Sequence, residues 1–177
     1  MKKIILSIAF VVSAFGAAFS QDGKFSGGIE LGFPTGFAAD FVGIGFGLSG
    51  RYEAPIQDKL NWFATAGFIS YGGKDFPAVR YNPLTQQLEN YTVSGGSSTL
   101  IPLQGGVKYY FQESNNGFYA SGEIGLFIGT GSGSSSRFGF TPGIGYRISS
   151  FDFSGRYNVV SDFNTFGIRA AYVFGGK

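Results

Sequence analysis

Two stretches near the end of the chain alternate so regularly that they leave one class of fold open. From Phe151 to Val160, the odd positions read Phe151, Phe153, Gly155, Tyr157 and Val159, and the even ones Asp152, Ser154, Arg156, Asn158 and Val160. From Thr165 to Phe174 the same division returns, with Phe166, Ile168, Ala170, Tyr172 and Phe174 against Thr165, Gly167, Arg169, Ala171 and Val173. A strand turns successive side chains to opposite faces, so each stretch is a ribbon with one greasy side and one mostly polar side. Segments of about ten residues patterned in this way match the strands of a transmembrane β-barrel.

The first twenty residues set the compartment. Lys2 and Lys3 precede an apolar run from Ile4 to Phe19, and Ala18 and Ser20 put small residues at the −3 and −1 positions before Gln21. That order of charged, apolar and small-residue regions is the pattern of a secretory signal peptide. A retained membrane anchor would need about 20 strongly apolar residues, and the run is shorter. No cysteine stands near the cut to carry a lipid. Residues 1–20 are therefore expected to be a cleaved signal peptide, and residues 21–177 one barrel domain.

Composition narrows the function classes. Lys2 and Lys3 account for the whole excess of 13 Lys and Arg over 11 Asp and Glu, so the mature chain is formally neutral. A nucleic-acid partner needs a concentrated basic surface, and none is present. The chain has no cysteine and therefore no disulfides, although it enters an oxidising compartment. After the signal, no continuous apolar segment is long enough for a membrane helix. Glycine (30), Phe (21) and Tyr (10) are abundant.

Eight alternating segments can be read along the mature sequence. They run near Lys24–Phe33, Phe41–Tyr52, Leu60–Tyr71, Thr99–Gln112, Phe118–Gly129, Phe138–Ser149, Phe151–Val160 and Thr165–Phe174. The third is the least regular, because Phe63 and Ile69 fall opposite Trp62, Ala64, Ala66 and Phe68. The charges in these segments, Glu30, Arg51, Lys108, Glu123, Arg147, Asp152, Arg156 and Arg169, all take the face opposite the aromatic one. Lys or Arg facing hydrocarbon at the midplane costs about 2–4 kcal/mol, which assigns the aromatic face to lipid and the charges to a lumen. Glycines favour the inner face, where they leave room for long neighbours.

The connections also alternate. Links near Ala54–Lys59, Glu113–Gly117 and Ser149–Ser150 are short, as periplasmic turns are. Those near Pro34–Asp40, Gly72–Ser98, Thr130–Arg137 and Ser161–Asn164 are mostly longer and are assigned to the cell exterior. A connection as long as Gly72–Ser98 is functional or disordered. Aromatic girdles are expected from Tyr52, Trp62, Tyr109, Phe111, Phe118, Tyr172 and Phe174 at the periplasmic rim. Phe33, Phe41, Phe138, Tyr157 and Phe166 are expected nearer the outer rim.

Histidine is absent. That removes Ser-His-Asp and Cys-His nucleophilic sites and His-ligated metals. Carboxylates show no calcium-loop spacing. The glycine runs Gly43–Gly47 and Gly129–Gly133 lack the lysine and the strand-to-helix context of a phosphate loop. Asn90-Tyr91-Thr92 fits a glycosylation sequon, a pattern common by chance. No cofactor or metal is expected.

The lumen charges are the one polar constellation. They could line the selectivity ring of a channel, or they could form a packed core of paired ions. An eight-strand barrel is just wide enough for side chains to fill, which favours pairing. Buried charges persist when paired and hydrogen-bonded. Glu123 is expected within reach of Lys108, Arg147 or Arg156.

The stretch Leu100–Phe111, followed by the glycine-spaced Gly122–Gly129, resembles the small outer-membrane β-barrel proteins of the OmpA/OmpX type. Phe151–Tyr157 and Ile168–Phe174 are similar to that family's last hairpin. The resemblance implies an outer-membrane barrel, in contact with outer-membrane lipids and inserted by the barrel-assembly machinery. It implies no single activity.

Together these observations predict an all-β protein: a closed, eight-stranded, antiparallel transmembrane β-barrel in the outer membrane. Its expected role is non-enzymatic, structural or surface-interacting through its outer loops, with the loop ligand unspecified. The alternative is a narrow passive channel. A lipid-modifying barrel enzyme would need a catalytic base that the chain lacks histidine to supply, and a soluble ligand-binding barrel would need its apolar side inward.

Overall fold

A computed structural model describes residues 23–82, 86–113, 115–130, 135–161 and 163–175. The expected signal peptide, residues 1–20, lies outside the described residues. The described residues form ten strands: β1 (Lys24–Pro34), β2 (Val42–Gln57), β3 (Leu60–Gly73), β4 (Phe76–Asn82), β5 (Gln87–Val93), β6 (Ser98–Tyr110), β7 (Gly117–Thr130), β8 (Ser136–Ile148), β9 (Phe151–Val160) and β10 (Thr165–Phe174). One helical turn, α1 (Ala38–Phe41), lies between β1 and β2.

Eight of these strands close into an all-antiparallel barrel in the order β1-β10-β9-β8-β7-β6-β3-β2. The closing seam pairs β1 with β10 from Phe25↔Phe174 to Pro34↔Thr165, so no barrel edge is left to pair with another chain. The alternation read from the sequence sets which face is inside. On β9, Asp152, Ser154, Arg156 and Asn158 are buried while Phe151, Phe153, Tyr157 and Val159 are exposed. A register slip of one residue would exchange these two sets, so the pattern and the closure specify each other.

The remaining two strands, β4 and β5, form a separate antiparallel hairpin. It occupies most of the Gly72–Ser98 connection, which is therefore neither a disordered loop nor part of the barrel wall.

Strand ends differ from the sequence reading most of all on β2. β2 runs to Gln57 rather than stopping at Tyr52, so the expected Ala54–Lys59 link shrinks to Asp58-Lys59. Lys59 takes φ 67°, the left-handed geometry of the last residue in a bulged hairpin turn, and the register shifts between Pro55 and Gln57 beside it. Phe41 belongs to α1 and not to β2. Its ring packs on Phe37 and Phe76 at centroid distances of 4.6 and 5.6 Å, which places it in the loop cluster instead of a girdle.

The other aromatic positions mark the rims. At the end holding the short turns, Phe25, Tyr52 and Trp62 form a chain of tilted rings, and Phe151, Tyr172 and Phe174 a chain of edge-on rings. Phe33 and Phe166 meet nearer the loop end. Between the rims the wall exposes Ile29, Phe46, Leu48, Leu103, Ile124, Phe140, Ile144 and Ile168. Such a contiguous apolar belt suits lipid and not water. Among the described residues, no helix is long and apolar enough to cross a membrane.

Candidate functional site

The lumen is filled in four tiers, two charged, one neutral and polar and one apolar, and the strand register builds each of them. Nearest the short turns lies a charged tier. Glu53 of β2 accepts from the Lys108 ammonium at 2.8 Å and from both Arg147 Nη atoms, at 3.1 and 2.7 Å. It also accepts from the Tyr110 hydroxyl at 3.0 Å and the Asn61 amide at 2.7 Å. Asp152 sits directly across the ladder from Arg147 and accepts from it at 3.1 Å, from Lys108 at 3.0 Å and from Tyr119 at 2.6 Å. The Lys108 ammonium lies 4.2 Å from the centre of the Tyr119 ring.

One step further in, Glu123 receives Arg51 Nη2 at 3.0 Å and Arg156 Nη1 at 3.4 Å on one oxygen, and the Thr65 hydroxyl at 3.2 Å on the other. Arg156 also bridges to Glu30. Glu30 faces Arg169 across the closing seam, and Arg169 Nε is 3.6 Å from its carboxylate. Arg169 donates to Ser49 Oγ at 2.8 Å and Ser26 Oγ at 3.0 Å. The Arg51 guanidinium lies 4.1 Å above the Phe63 ring, which explains why Phe63 breaks the simple pattern of its strand.

Towards the loops comes a neutral relay. Gln104 donates to Thr141 at 2.8 Å, Thr141 to Asn158 at 3.0 Å, and Asn158 to Thr165 at 2.8 Å. The outermost tier is apolar. Val42, Ile69 and Tyr71 are buried together, with Leu100 and Phe163 packed against them. Phe127 and Val160 are also buried on the inner face. Tyr71 fits because its ring lies over glycine: a Cβ at Gly45 would stand 2.5 Å from a Tyr71 ring carbon. Phe127 lies against Gly139 in the same manner, at 2.6 Å. The inward glycines thus make space for aromatic rings on the neighbouring strand.

All eight residues singled out in the sequence, Glu30, Arg51, Lys108, Glu123, Arg147, Asp152, Arg156 and Arg169, are buried inside the barrel. Glu123 meets one of the three partners expected for it, and a fourth cation joins. Arg156 reaches it, Arg51 joins from across the lumen, and Lys108 and Arg147 turn to Glu53 and Asp152 instead. Glu53 was missed because the second segment was ended at Tyr52. Its signal was available, since Ser49, Arg51 and Glu53 keep one parity. Tyr110 and Tyr119 were missed because aromatic residues were assigned to lipid as a class.

At the turn-end mouth a cavity of about 270 Å³ is lined by Lys24, Asn116, Arg147, Ser149, Ser150, Val173 and Gly175. At the opposite end, α1 and the β4–β5 hairpin come together. The Lys74 ammonium donates to the Ala39 carbonyl, and the Lys74 amide donates to Phe41 O at 2.9 Å. Beyond this anchor the hairpin stands in solvent, with every residue of β5 exposed.

The closure, strand number and inside-out polarity define the fold of the small eight-stranded outer-membrane β-barrels. The attachment invasion locus protein Ail of Yersinia pestis superposes with a TM-score of 0.52 at 11% identity, over 86% of this chain and 98% of that one. Neisserial surface protein A gives 0.52 at 14% identity, over 85% and 95%. A de novo designed transmembrane β-barrel gives 0.52 at 13% identity, over 88% and 98%. No family model and no curated protein matches the sequence.

Proposed function

We propose that this chain is a non-enzymatic integral protein of the outer membrane, a closed anchor that presents the β4–β5 hairpin to the cell exterior. Export by residues 1–20 and insertion by the barrel-assembly machinery belong to this reading. The observation that carries it is the contrast between the two ends of the molecule. The lumen is packed with mutually bonded side chains, whereas the hairpin is held at its base and exposed beyond it.

A two-stranded hairpin is marginally stable by itself, so its persistence here rests on the anchor at α1 and favours a role at that position. Among the described loop-end residues, Lys74, Arg80 and Arg137 face Asp40, Asp75 and Glu89 in number. The exposed Val79, Tyr81, Leu88 and Tyr91 then dominate the surface, which fits contact with another protein better than with a polyanion. Ail has been crystallised with the heparin analogue sucrose octasulfate. The balanced loop charge here supports no such ligand for this chain.

The test is to replace Phe76–Val93 by a short Gly-Ser link in the full-length protein. The variant should still fractionate with outer membranes and shift on a heat-modifiability gel, while adhesion of the cells to protein-coated surfaces falls. Equal adhesion with and without the hairpin would reject the surface role. Stepwise conductance of the wild-type protein in a planar bilayer would favour the channel instead.

A further inference from the structure

The buried charges of the lumen do not balance. Among the described residues, the buried cations are Arg51, Lys108, Arg147, Arg156 and Arg169, and the buried carboxylates are Glu30, Glu53, Glu123 and Asp152. The turn-end tier is neutral within itself, as Lys108 and Arg147 share Glu53 and Asp152. The surplus cation therefore belongs to the set of Arg51, Arg156 and Arg169, which has only Glu30 and Glu123.

Each of the three has one unbonded nitrogen: Arg51 Nη1, Arg156 Nε and Arg169 Nη1. Arg156 already pairs with both Glu30 and Glu123, which leaves the other two as the place of the surplus. Arg51 Nη1 and Arg169 Nη1 make no hydrogen bond to the protein, although the two residues are 1% and 0% exposed. The backbone brings these two side chains together. Ser26 is the register partner of Arg51, and its hydroxyl accepts from Arg169 Nη2. Ser49, two residues from Arg51 on the same inner face, accepts from Arg169 Nε. Glu30 Oε1 lies 3.6 Å from Arg169 Nε, on the other side of the guanidinium from Nη1, and Asp152 Oδ1, 4.0 Å from Nη1, is already bonded to Tyr119.

We propose that a small monovalent anion, chloride in ordinary media, binds in the lumen between Arg51 and Arg169. A buried charge needs a partner of opposite sign, and an unbonded buried N–H needs an acceptor. One anion supplies both.

The test uses the folded barrel in zwitterionic detergent at constant pH and ionic strength, with chloride exchanged for gluconate. An ion that binds only the folded state raises its stability with the logarithm of the ion concentration. The thermal midpoint should therefore lie several degrees higher in chloride and climb with each tenfold increase. Two variants remove the need for the ion: Arg169→Gln, which deletes the surplus cation, and Ser49→Asp, which supplies a fixed carboxylate beside it. Each should lose the chloride dependence. If Arg169→Gln does not fold, Ser49→Asp carries the comparison. Bromide diffused into crystals should give an anomalous peak at the Arg51–Arg169 pair. Equal midpoints in chloride and gluconate, or bromide peaks confined to the surface, would overturn the proposal.

Discussion

The two ends of the lumen are filled by opposite means within one continuous wall. At the turn end, Glu53, Asp152, Lys108 and Arg147 interlock through bonds of 2.7–3.1 Å. At the loop end, Val42, Ile69, Tyr71 and Phe163 fill the space with hydrocarbon and rings. An apolar tier gains from each buried atom and tolerates an imperfect fit at a graded cost. A charged tier works through complete satisfaction, because each ion has given up its water. The difference teaches that the charged tiers specify register and closure, while the apolar tier mainly occupies volume. Glu30 opposite Arg169, and Asp152 opposite Arg147, would both be separated by a slip of the strands.

The largest effect should follow from breaking one ion and leaving its partners. Glu123→Gln keeps the shape but removes the carboxylate shared by Arg51 and Arg156. Arg156 retains Glu30, whereas Arg51 loses its only ion pair at 4.0 Å or less among the described residues. The expected loss is about 3–5 kcal/mol, read as a lower urea midpoint in lipid vesicles. Replacing both partners, Arg51→Met with Glu123→Leu, should recover most of that loss, since a well-packed apolar pair often equals a buried ion pair. An unchanged midpoint in Glu123→Gln alone would mean a water-filled lumen and end the comparison.

The apolar tier should respond less. Ile69 is 4% exposed and packs among Val42 and Tyr71. Ile69→Ala removes three carbons and leaves a cavity, at a cost of about 2–4 kcal/mol. Planar-bilayer recordings on this variant should stay silent, because the charged tiers still close the lumen beneath it. A conductance step would show instead that the apolar tier is the barrier.

Glycine gives a third and smaller probe at the boundary between tiers. Gly45→Ala drives a Cβ to within 2.5 Å of the Tyr71 ring, so the ring must move. Overpacking of that kind costs about 1–3 kcal/mol. Pairing the change with Tyr71→Leu should recover part of the loss, measured by the same urea titration.

Much of this was legible in the sequence, and the physical reason is the lipid. A solvent that excludes charge forces strict alternation, so Asp152, Arg156 and Arg169 announce their face without knowledge of any partner. The closed eight-stranded architecture follows from that alternation and the segment lengths. Pairing was not legible to the same degree, because it depends on which strands are neighbours and how they are staggered. Arg51 and Glu123 are 72 positions apart and meet across the lumen, not along a ladder. Inward aromatics were illegible for another reason: Tyr119 carries a hydroxyl that bonds Asp152, while its ring reads as lipid-facing by composition. The β4–β5 hairpin went unseen because its alternation, Phe76-Pro-Ala-Val-Arg-Tyr-Asn82, separates no apolar face from a polar one.

The smallest effect tests whether burial, and not ion pairing as such, sets the scale. Lys59 and Glu113 form an ion pair at 3.6 Å across the turn end, with the Glu113 side chain 89% exposed. The opposite charges resemble those of Arg51 and Glu123, but water screens the pair and both side chains lose entropy on meeting. Glu113→Gln should therefore shift the urea midpoint by well under 1 kcal/mol, about the lower end of what exposed pairs contribute. Raising salt to about 1 M, where the Debye length falls to about 3 Å, should erase even that difference. The same salt should leave the penalty of Glu123→Gln nearly intact, because ions screen a packed lumen poorly. If Glu113→Gln proved as costly as Glu123→Gln, the charged tiers would owe nothing to desolvation, and their contrast with the apolar tier would lose its physical basis.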